Sequence, residues 1–359
     1  MTRLRSLAMS AIVVLLAVVP SASALAQTPG DEADLGALKT YLTEHSAALN
    51  EGATELQVWA QSYYDAAEAV GFDYQALWDT HSTTLPTEIE TARAVWTEQA
   101  HGNYELAEGL VAGIPSLAEF DVWLDAGLSD AEDPTNAYVW DLELPDGTVL
   151  TNPGNIFHNL SEPTLWGTDD AYVGLEIDLN ADGELSVGDA LPNANVLLGT
   201  INAMVDVSGQ LQDAIADWEP NLSDAFTALV VMIPTAQGYF EQWKLSPFVL
   251  GEASTQSQFV ANSRLLDVIG IYGGLQLTYD NVRAVIDAEN PEIAEQIQTE
   301  LDGIAALIQD LFEQESAGTR FTEEQADQYG TEIGSRADLL AGQITQAAAL
   351  LDIEIQEIG

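Results

Sequence analysis

The sequence predicts an all-α protein of two antiparallel helical bundles, with a small β-hairpin and a calcium-type loop inserted centrally. Apolar residues recur at helical spacing in both outer parts of the chain, whereas its middle is rich in Gly and Pro. The 47% hydrophobic fraction is sufficient for a packed core. The expected parts are an N-terminal bundle over 27–137, an insertion over 138–192 and a C-terminal bundle over 193–359.

The N-terminal bundle is predicted from two helical stretches. In residues 33–70, apolar side chains recur at intervals of three, four and seven. These positions include Leu35, Leu38, Leu42, Leu49, Leu56, Trp59 and Tyr63. Residues 87–111 show the same period after Pro86, a residue favoured at the start of a helix.

The insertion is predicted from turn residues. Residues 138–144 and 148–150 flank Pro145-Asp146-Gly147, so this segment should form a hairpin with its turn at Asp-Gly. Residues 172–177 resemble a further strand.

The C-terminal bundle is predicted from three apolar stripes, which begin at Leu197, Ile293 and Leu340. Asn290-Pro291, Gly318 and Gly330 fall between or beside the stripes and are expected to be helix boundaries.

The charge of the chain excludes one class of partner. Its 359 residues hold 9 Lys and Arg against 58 Asp and Glu, a formal net charge of −49. Such a field repels phosphate backbones, so nucleic acid is not expected as a partner. An acidic surface with so few lysines is typical of halophilic proteins, in which concentrated salt screens the repulsion. Most carboxylates are therefore expected at the surface. The absence of Cys excludes thiolate chemistry and disulfides.

The N-terminus has the features of a secretory signal peptide. Arg3 and Arg5 precede an apolar run over 7–19, and Ala24 and Ala26 form an A-x-A cleavage site. We therefore expect cleavage after Ala26, which makes residues 1–26 the signal peptide and the mature protein an exported one. An uncleaved anchor is the alternative. No later stretch is apolar for long enough to predict a membrane span.

Residues 178–189 fit the twelve-residue EF-hand loop, with Gly183 at the sharp turn. The predicted Ca²⁺ ligands are the side chains of Asp178, Asn180, Asp182, Ser186 and Asp189 and the carbonyl oxygen of Glu184. The last position holds Asp where Glu is usual, so weaker affinity is expected. A turn without metal is the alternative. If calcium binds, we expect it to stabilise the fold and not to act as a regulatory switch.

Pairs of ionisable residues at helical spacing predict a second metal site. His158 and Glu162 are four residues apart and would share a helix face, as would Glu105 and Glu108. Asp121 and Asp125 form a further pair at this spacing, and they are candidates of lower rank for metal ligands. Apolar neighbours indicate that these faces are buried, and a buried carboxylate needs a partner or a metal. The alternative for each pair is a solvated acidic face. His45, His81 and His101 are expected to be ordinary surface or core histidines.

The chain resembles the imelysin-like (imelysin peptidase) family, in particular its EfeO-type periplasmic iron-uptake members. The segment from His158 to Glu162 with the following Trp166 is similar to the family's G-x-H-x-x-E motif, with one additional residue between His and Glu. Tyr104-Glu105 to Glu108 is similar to the family's Y-E-x-x-E segment, and residues 265–274 match a further family motif at Leu265, Asp267 and Gly274.

The resemblance implies an imelysin-like double bundle that binds iron in the periplasm and delivers it to a high-affinity iron permease. The implied iron site consists of His158, Glu162, Glu105, Glu108 and Asp267. A surface or interaction protein stabilised by calcium is one alternative. A metallopeptidase is another, although the sequence holds no H-E-x-x-H motif. A Ser/Lys catalytic dyad is not expected either, because the chain has only two lysines.

Overall fold

The computed structural model describes residues 33–358, so the predicted signal peptide lies outside the described residues. The predicted all-α fold with a small hairpin is confirmed. The α-helices are α1 (Leu35–Ala69), α2 (Tyr74–His81), α3 (Leu85–Val95), α4 (Gly102–Val111), α5 (Ala118–Asp121), α6 (Glu162–Trp166), α7 (Ala194–Asp217), α8 (Leu222–Met232), α9 (Ala236–Leu245), α10 (Pro247–Leu250), α11 (Arg264–Glu289), α12 (Pro291–Ser316) and α13 (Glu323–Leu350).

Three π-helical turns adjoin α-helices, and in these turns the backbone hydrogen bonds span five residues rather than four. These turns are π1 (Trp96–His101), π2 (Val122–Ala126) and π3 (Ile156–Ser161). The stretch predicted as one helix over 87–111 is therefore α3, π1 and α4 in succession.

The central insertion holds two short antiparallel strand pairs. β1 (Asp141–Glu143) pairs with β2 (Val149–Thr151), which confirms the predicted hairpin. β3 (Val173–Glu176) pairs with β4 (Ala190–Pro192), and the register shifts between Val173 and Leu175. The calcium-type loop lies between these last two strands.

The helices pack around one extended core. α1 packs along α7 and α4, whereas α13 packs against α9 and α12. Buried apolar side chains form a continuous cluster from Leu38 in α1 to Ala348 in α13. The division into two bundles with boundaries at 137/138 and 192/193 stays a prediction. Within residues 33–358, no helix combines the length and apolar composition that a membrane span requires.

The pair α4 and α11 connects the N-terminal helices to the C-terminal ones, and glycines bring the two backbones close together. A Cβ atom on Gly109 would lie 2.9 Å from the carbonyl oxygen of Ile271, and one on Gly270 would lie 3.0 Å from that of Glu105. A side chain at either position would push the helices apart. This close approach places the carboxylates of α4 opposite the charged start of α11.

The expected boundaries in the C-terminal part are correct at two of three positions. α11 ends at Glu289 and α12 begins at Pro291, while Gly318 follows α12 with a φ of +95°. The expected boundary at Gly330 is wrong because this residue lies inside α13. A Cβ atom there would lie 3.0 Å from the Cβ of Phe240, so the glycine serves close packing against α9 instead of ending a helix.

Candidate metal centre

A cluster of ionisable side chains is buried where α4 meets α11 and the π-turns. Most of its members are less than 7% exposed, although a buried charge is costly unless it is paired or bound to a cation. The buried members are His101, Glu105, Glu108, Asp125, His158, Glu162, Arg264 and Asp267. The partly buried Asp121 lies beside them.

Each π-turn supplies one member of the cluster. His101 ends π1, Asp125 lies in π2 and His158 lies in π3. A π-turn widens the helix locally and is frequent at functional sites. The remaining acidic members lie on regular helices, with Glu105 and Glu108 on α4.

Four side chains converge on one position, which we call the inner group: His101, Glu105, Asp125 and His158. Each offers a ligand atom, and these atoms all lie within 4.8 Å of one another. Nε2 of His101 is 2.8 Å from Oε1 of Glu105, and Nε2 of His158 is 2.8 Å from Oδ1 of Asp125. The arrangement is compatible with a bound metal ion.

Several atoms of the inner group lack partners. Both ring nitrogens of His101, both oxygens of Glu105 and Oδ1 of Asp125 have no well-directed hydrogen bond within the described part of the chain, although two of the contacts among them and His158 are as short as 2.8 Å. Buried polar atoms are nearly always hydrogen-bonded, so such a concentration of exceptions needs an explanation. A cation at their centre would supply it, and the residues present therefore fit a metal.

His101 is held as a neutral ligand. Its ring stacks on Trp96, with the centroids 4.5 Å apart, and Phe157 packs edge-on at 5.0 Å. Burial lowers the pKa of His101 to about 4, although the negative charge of Asp267 acts in the opposite direction. A neutral imidazole is the form that binds metals.

His158 is oriented by Glu162, which differs from the expectation that both bind one ion. Nδ1 of His158 lies 2.8 Å from Oε2 of Glu162. Glu162 also accepts hydrogen bonds from the backbone N–H groups of Phe259, Val260 and Ala261, at 2.7 to 2.9 Å. Burial alone would raise the pKa of Glu162, but these hydrogen bonds lower it.

The ionised Glu162 can only accept, so Nδ1 of His158 carries the proton and donates it. Nε2 faces Asp125 and the rest of the inner group. The charge of Asp125 raises the pKa of His158 to about 9, so Nε2 also carries a proton in the metal-free protein and loses it when an ion binds. A carboxylate that orients a ligating histidine through its second nitrogen is a recurring feature of metal sites. The structure thus places Glu162 behind His158 rather than at the centre of the cluster.

Arg264 is a positive charge inside the cluster. Its Nη1 donates to Oδ2 of Asp267 at 2.8 Å and lies 3.3 Å from Nε2 of His158, while its Nη2 is 3.7 Å from Asp125. The guanidinium lies between the rings of Tyr239 and Phe259, with its Cζ 4.3 Å from each centroid. Asp267, predicted as an iron ligand, is therefore paired with Arg264.

A second group of carboxylates adjoins the first, and we call it the outer group: Glu108, Asp121 and Asp125. Their ligand oxygens also lie within 4.8 Å of one another, and Asp125 belongs to both groups. All three line a cavity of about 530 Å³. Burial and the charge of Asp125 raise the pKa of Asp121 to about 7, and burial with the charge of Glu105 raises that of Glu108 well above its usual value.

The calcium-type loop lies apart from this cluster. Gly183 has a φ of +94°, the left-handed conformation that the sharp turn requires. Asp178 accepts hydrogen bonds from the N–H groups of Asp182 and Gly183, and Asp189 accepts from Leu179 and Ser186. The loop has the expected turn, but its carboxylates are occupied by its own backbone, and calcium binding there stays a prediction.

Sequence reasoning thus located much of the cluster but missed two members. The structure brings together Glu105, Glu108, Asp121, Asp125, His158, Glu162 and Asp267. His101 was expected to be ordinary, although its spacing of four residues from Glu105 repeats that of His158 and Glu162. Arg264 has no predicted role, although a basic residue three positions before Asp267 is conspicuous in so acidic a chain.

Comparison with known proteins gives one family match. The family model described as Imelysin (Peptidase M75) matches residues 37–347, which is most of the chain. A search among curated proteins finds no significant match. The matched range begins within α1 and ends within α13, so it includes every residue of the inner and outer groups.

Proposed function

The chain belongs to the imelysin family, and we propose that it is an exported, EfeO-type protein that binds iron in the periplasm and delivers it to a high-affinity iron permease. The observation that carries the proposal is the inner group. Two imidazoles and two carboxylates converge there, and five of their buried atoms, on His101, Glu105 and Asp125, have no well-directed hydrogen bond among the described residues.

The donor set supports iron as the cargo. Imidazole nitrogens favour iron, zinc and copper, whereas carboxylate oxygens favour harder cations. A mixture of the two suits Fe²⁺ better than Mg²⁺ or Ca²⁺, for which oxygen ligands alone are usual. The carboxylates also allow Fe³⁺, so the inner group suits an ion that is carried in either oxidation state.

The position of Arg264 supports transient binding. A cargo site must release its ion, and the guanidinium lies 4.0 Å from Glu105 and 3.7 Å from Asp125. In the absence of iron this charge compensates the same carboxylates that would bind the ion. Iron and Arg264 therefore compete for these carboxylates. The competition lowers the free energy gained when iron binds, and this favours transfer of the ion to a partner.

Iron loading tests the proposal. Metal is first removed from the mature protein with a chelator, and the protein is then mixed anaerobically with Fe²⁺. Unbound iron is removed on a gel-filtration column in molar salt, and the protein is analysed for bound iron. We expect His101→Gln to lose one equivalent of iron because it removes an inner ligand and no net charge. Glu98→Gln is the matched control, since Glu98 is an exposed carboxylate in the same turn, π1.

Three results would contradict iron binding at the inner group: no iron in the wild type, equal iron in His101→Gln, or an equal loss in Glu98→Gln. The last would indicate adsorption to the acidic surface. Delivery requires a separate test, in which iron-loaded protein restores uptake by cells that express the permease without their own binding protein. Casein hydrolysis by metal-loaded wild type but not by His101→Gln would favour the metallopeptidase alternative.

A further inference from the structure

Residues 255–262, which we call the strap, cross the metal centre in the connection from α10 to α11. The ring centroid of Phe259 lies 4.5 Å from that of His158 and 4.3 Å from Cζ of Arg264. Gln258 and Phe259 line the cavity of about 530 Å³, whereas His158 is not among the residues that form its wall. The ring of Phe259 therefore stands between the cavity and the imidazole.

The strap is held by side chains of other elements and not by a backbone ladder. Within the described part of the chain, no backbone group of the strap bonds to another backbone group. The hydroxyl of Thr168 donates to the carbonyl oxygen of Ser257 at 2.5 Å, and the side-chain amide of Gln258 donates to Oε1 of Glu132 at 3.1 Å. A segment held in this way opens at a lower free energy than the helices beside it.

Glu162 fastens the strap on the side of the metal centre. Its Oε2 accepts from the N–H of Phe259, and its Oε1 accepts from the N–H groups of Val260 and Ala261. Phe259 has a φ of +57°, a left-handed conformation that is rare for a bulky residue and that turns successive N–H groups toward one anion. The same Oε2 lies 2.8 Å from Nδ1 of His158. One carboxylate thus joins the strap to a member of the inner group.

We propose that the strap is a lid, which covers the inner group while an ion is held and leaves Glu162 to admit or release it. Every side chain of the inner group is less than 7% exposed, so an ion cannot enter or leave unless a covering element moves. The strap is the covering element with the fewest backbone ties, and elements that move at binding sites are of this kind. The inference rests on the proposed function only for the identity of the ion.

Amide hydrogen exchange of the metal-free mature protein tests the opening by itself. We expect the N–H groups of residues 259–261 to exchange together and faster than those of α11, because they share one carboxylate as their acceptor. Glu162→Gln should accelerate this exchange at least about tenfold, since hydrogen bonds to a charged group are lost. Thr168→Val, which keeps the shape of the side chain and removes only the bond to Ser257, should accelerate it about two- to tenfold.

Iron release tests the lid in the loaded protein. When Fe²⁺-loaded protein is mixed with a rising excess of a coloured chelator, the release rate should reach a plateau because opening limits it. Phe259→Ala should raise this plateau at least about tenfold and accelerate iron uptake as well, since it removes the buried ring over His158. Thr168→Val should raise both rates about two- to tenfold, and it serves as the second variant should Phe259→Ala fail to fold. Phe72→Ala is the matched control, because Phe72 also has a left-handed φ, +59°, but follows α1.

An unchanged plateau in both Phe259→Ala and Thr168→Val would overturn the lid, and so would an equal acceleration in Phe72→Ala. Faster release without faster uptake would overturn it as well, because the ring would then only stabilise the bound ion. Hydrogen exchange separates the lid from the proposed function. If the wild type takes up no iron, iron delivery falls, whereas the lid stands when residues 259–261 exchange faster in Glu162→Gln and falls when their exchange is unchanged.

Discussion

The imidazole rings of His101 and His158 lie 5.1 Å apart, centroid to centroid, at an angle of 81°, yet their pKa values shift in opposite directions. Burial lowers the pKa of His101 to about 4. Burial acts in the same direction on His158, but the charge of Asp125 and the hydrogen bond to Glu162 outweigh it and raise the pKa to about 9. One ring is thus neutral and its neighbour charged at pH 7.

This difference predicts two separate titrations. In metal-free protein, the ring of His101 should take up a proton near pH 4 and that of His158 should lose one near pH 9. Nuclear magnetic resonance of the imidazole nitrogens measures both, and His101→Gln and His158→Gln assign the signals. Titration of both rings near their usual pKa of 6.5 would contradict the buried, coupled arrangement.

Stability should respond to pH with opposite signs at the two residues. Unfolded chains take up a histidine proton near pH 6.5, whereas folded His101 stays neutral to about pH 4, so stability is lost as the pH falls through this range. Folded His158 keeps its proton to about pH 9, so its contribution is complete below pH 6.5 and is lost as the pH rises to about 9. Urea unfolding of chelator-treated protein measures this dependence. His101→Gln should reduce the loss on the acid side, and His158→Gln the loss on the alkaline side.

Glu162→Gln should reduce iron affinity although Glu162 does not face the inner group. The carboxylate accepts hydrogen bonds from His158 and three backbone N–H groups, and an amide has only one oxygen to offer them. We expect a loss of about 10- to 100-fold in iron affinity, the range typical of outer-shell partners. Competition with a fluorescent chelator measures it. Glu132→Gln is the control, because Glu132 also accepts several hydrogen bonds but none from His158.

Arg264→Gln should strengthen iron binding and weaken the metal-free fold. The change removes the charge that competes with iron, but it leaves Asp267 and Asp125 without their partner. Breaking a buried ion pair from one side costs about 3 to 5 kcal/mol of stability. Arg336→Gln removes a half-exposed pair with Glu300 and should cost only about 0 to 1 kcal/mol. Thermal melts with and without iron measure both effects, and an unchanged iron affinity in Arg264→Gln would refute the competition.

Calcium should stabilise the protein through the loop between β3 and β4. An ion that binds only the folded state adds about 2.7 kcal/mol at a hundredfold excess over Kd. Asp178→Ala should abolish this calcium-dependent rise in melting temperature and leave iron loading intact, because the loop lies apart from the inner group. If calcium raises the melting temperature of Asp178→Ala as much as that of the wild type, the ion binds elsewhere.

The helical part of the fold could be predicted because burial imposes a period on the sequence. Leu38, Leu42 and Leu49 all lie in the core of α1, and the hairpin turn forms at Asp146-Gly147 as its residues indicate. The prediction failed where a residue's role depends on a distant element. Gly330 has the composition of a boundary, but its neighbour across the helix packing is Phe240.

The candidate centre was predictable only in part for the same reason. Acidic pairs at helical spacing, such as Glu105 and Glu108, were recognisable, because both spacing and apolar neighbours are local. The role of Glu162 was not recognisable, since it depends on N–H groups of Phe259, Val260 and Ala261, about a hundred positions later in the chain. No local pattern predicts a π-turn. The four-residue spacing between His101 and Glu105 is a local signal, but an isolated histidine on a helix is more often an ordinary surface or core residue.

The π-turns π1, π2 and π3 have a consequence for how such a centre can arise. A π-turn holds one residue more than an α-turn, so a single inserted codon converts one into the other while the flanking helix keeps its phase and its packing. His101, Asp125 and His158 each lie in such a turn. Because π1 lies between α3 and α4, the insertion or loss of a single residue there would add His101 to the centre or remove it, while the hydrophobic core that supports the centre is inherited unchanged.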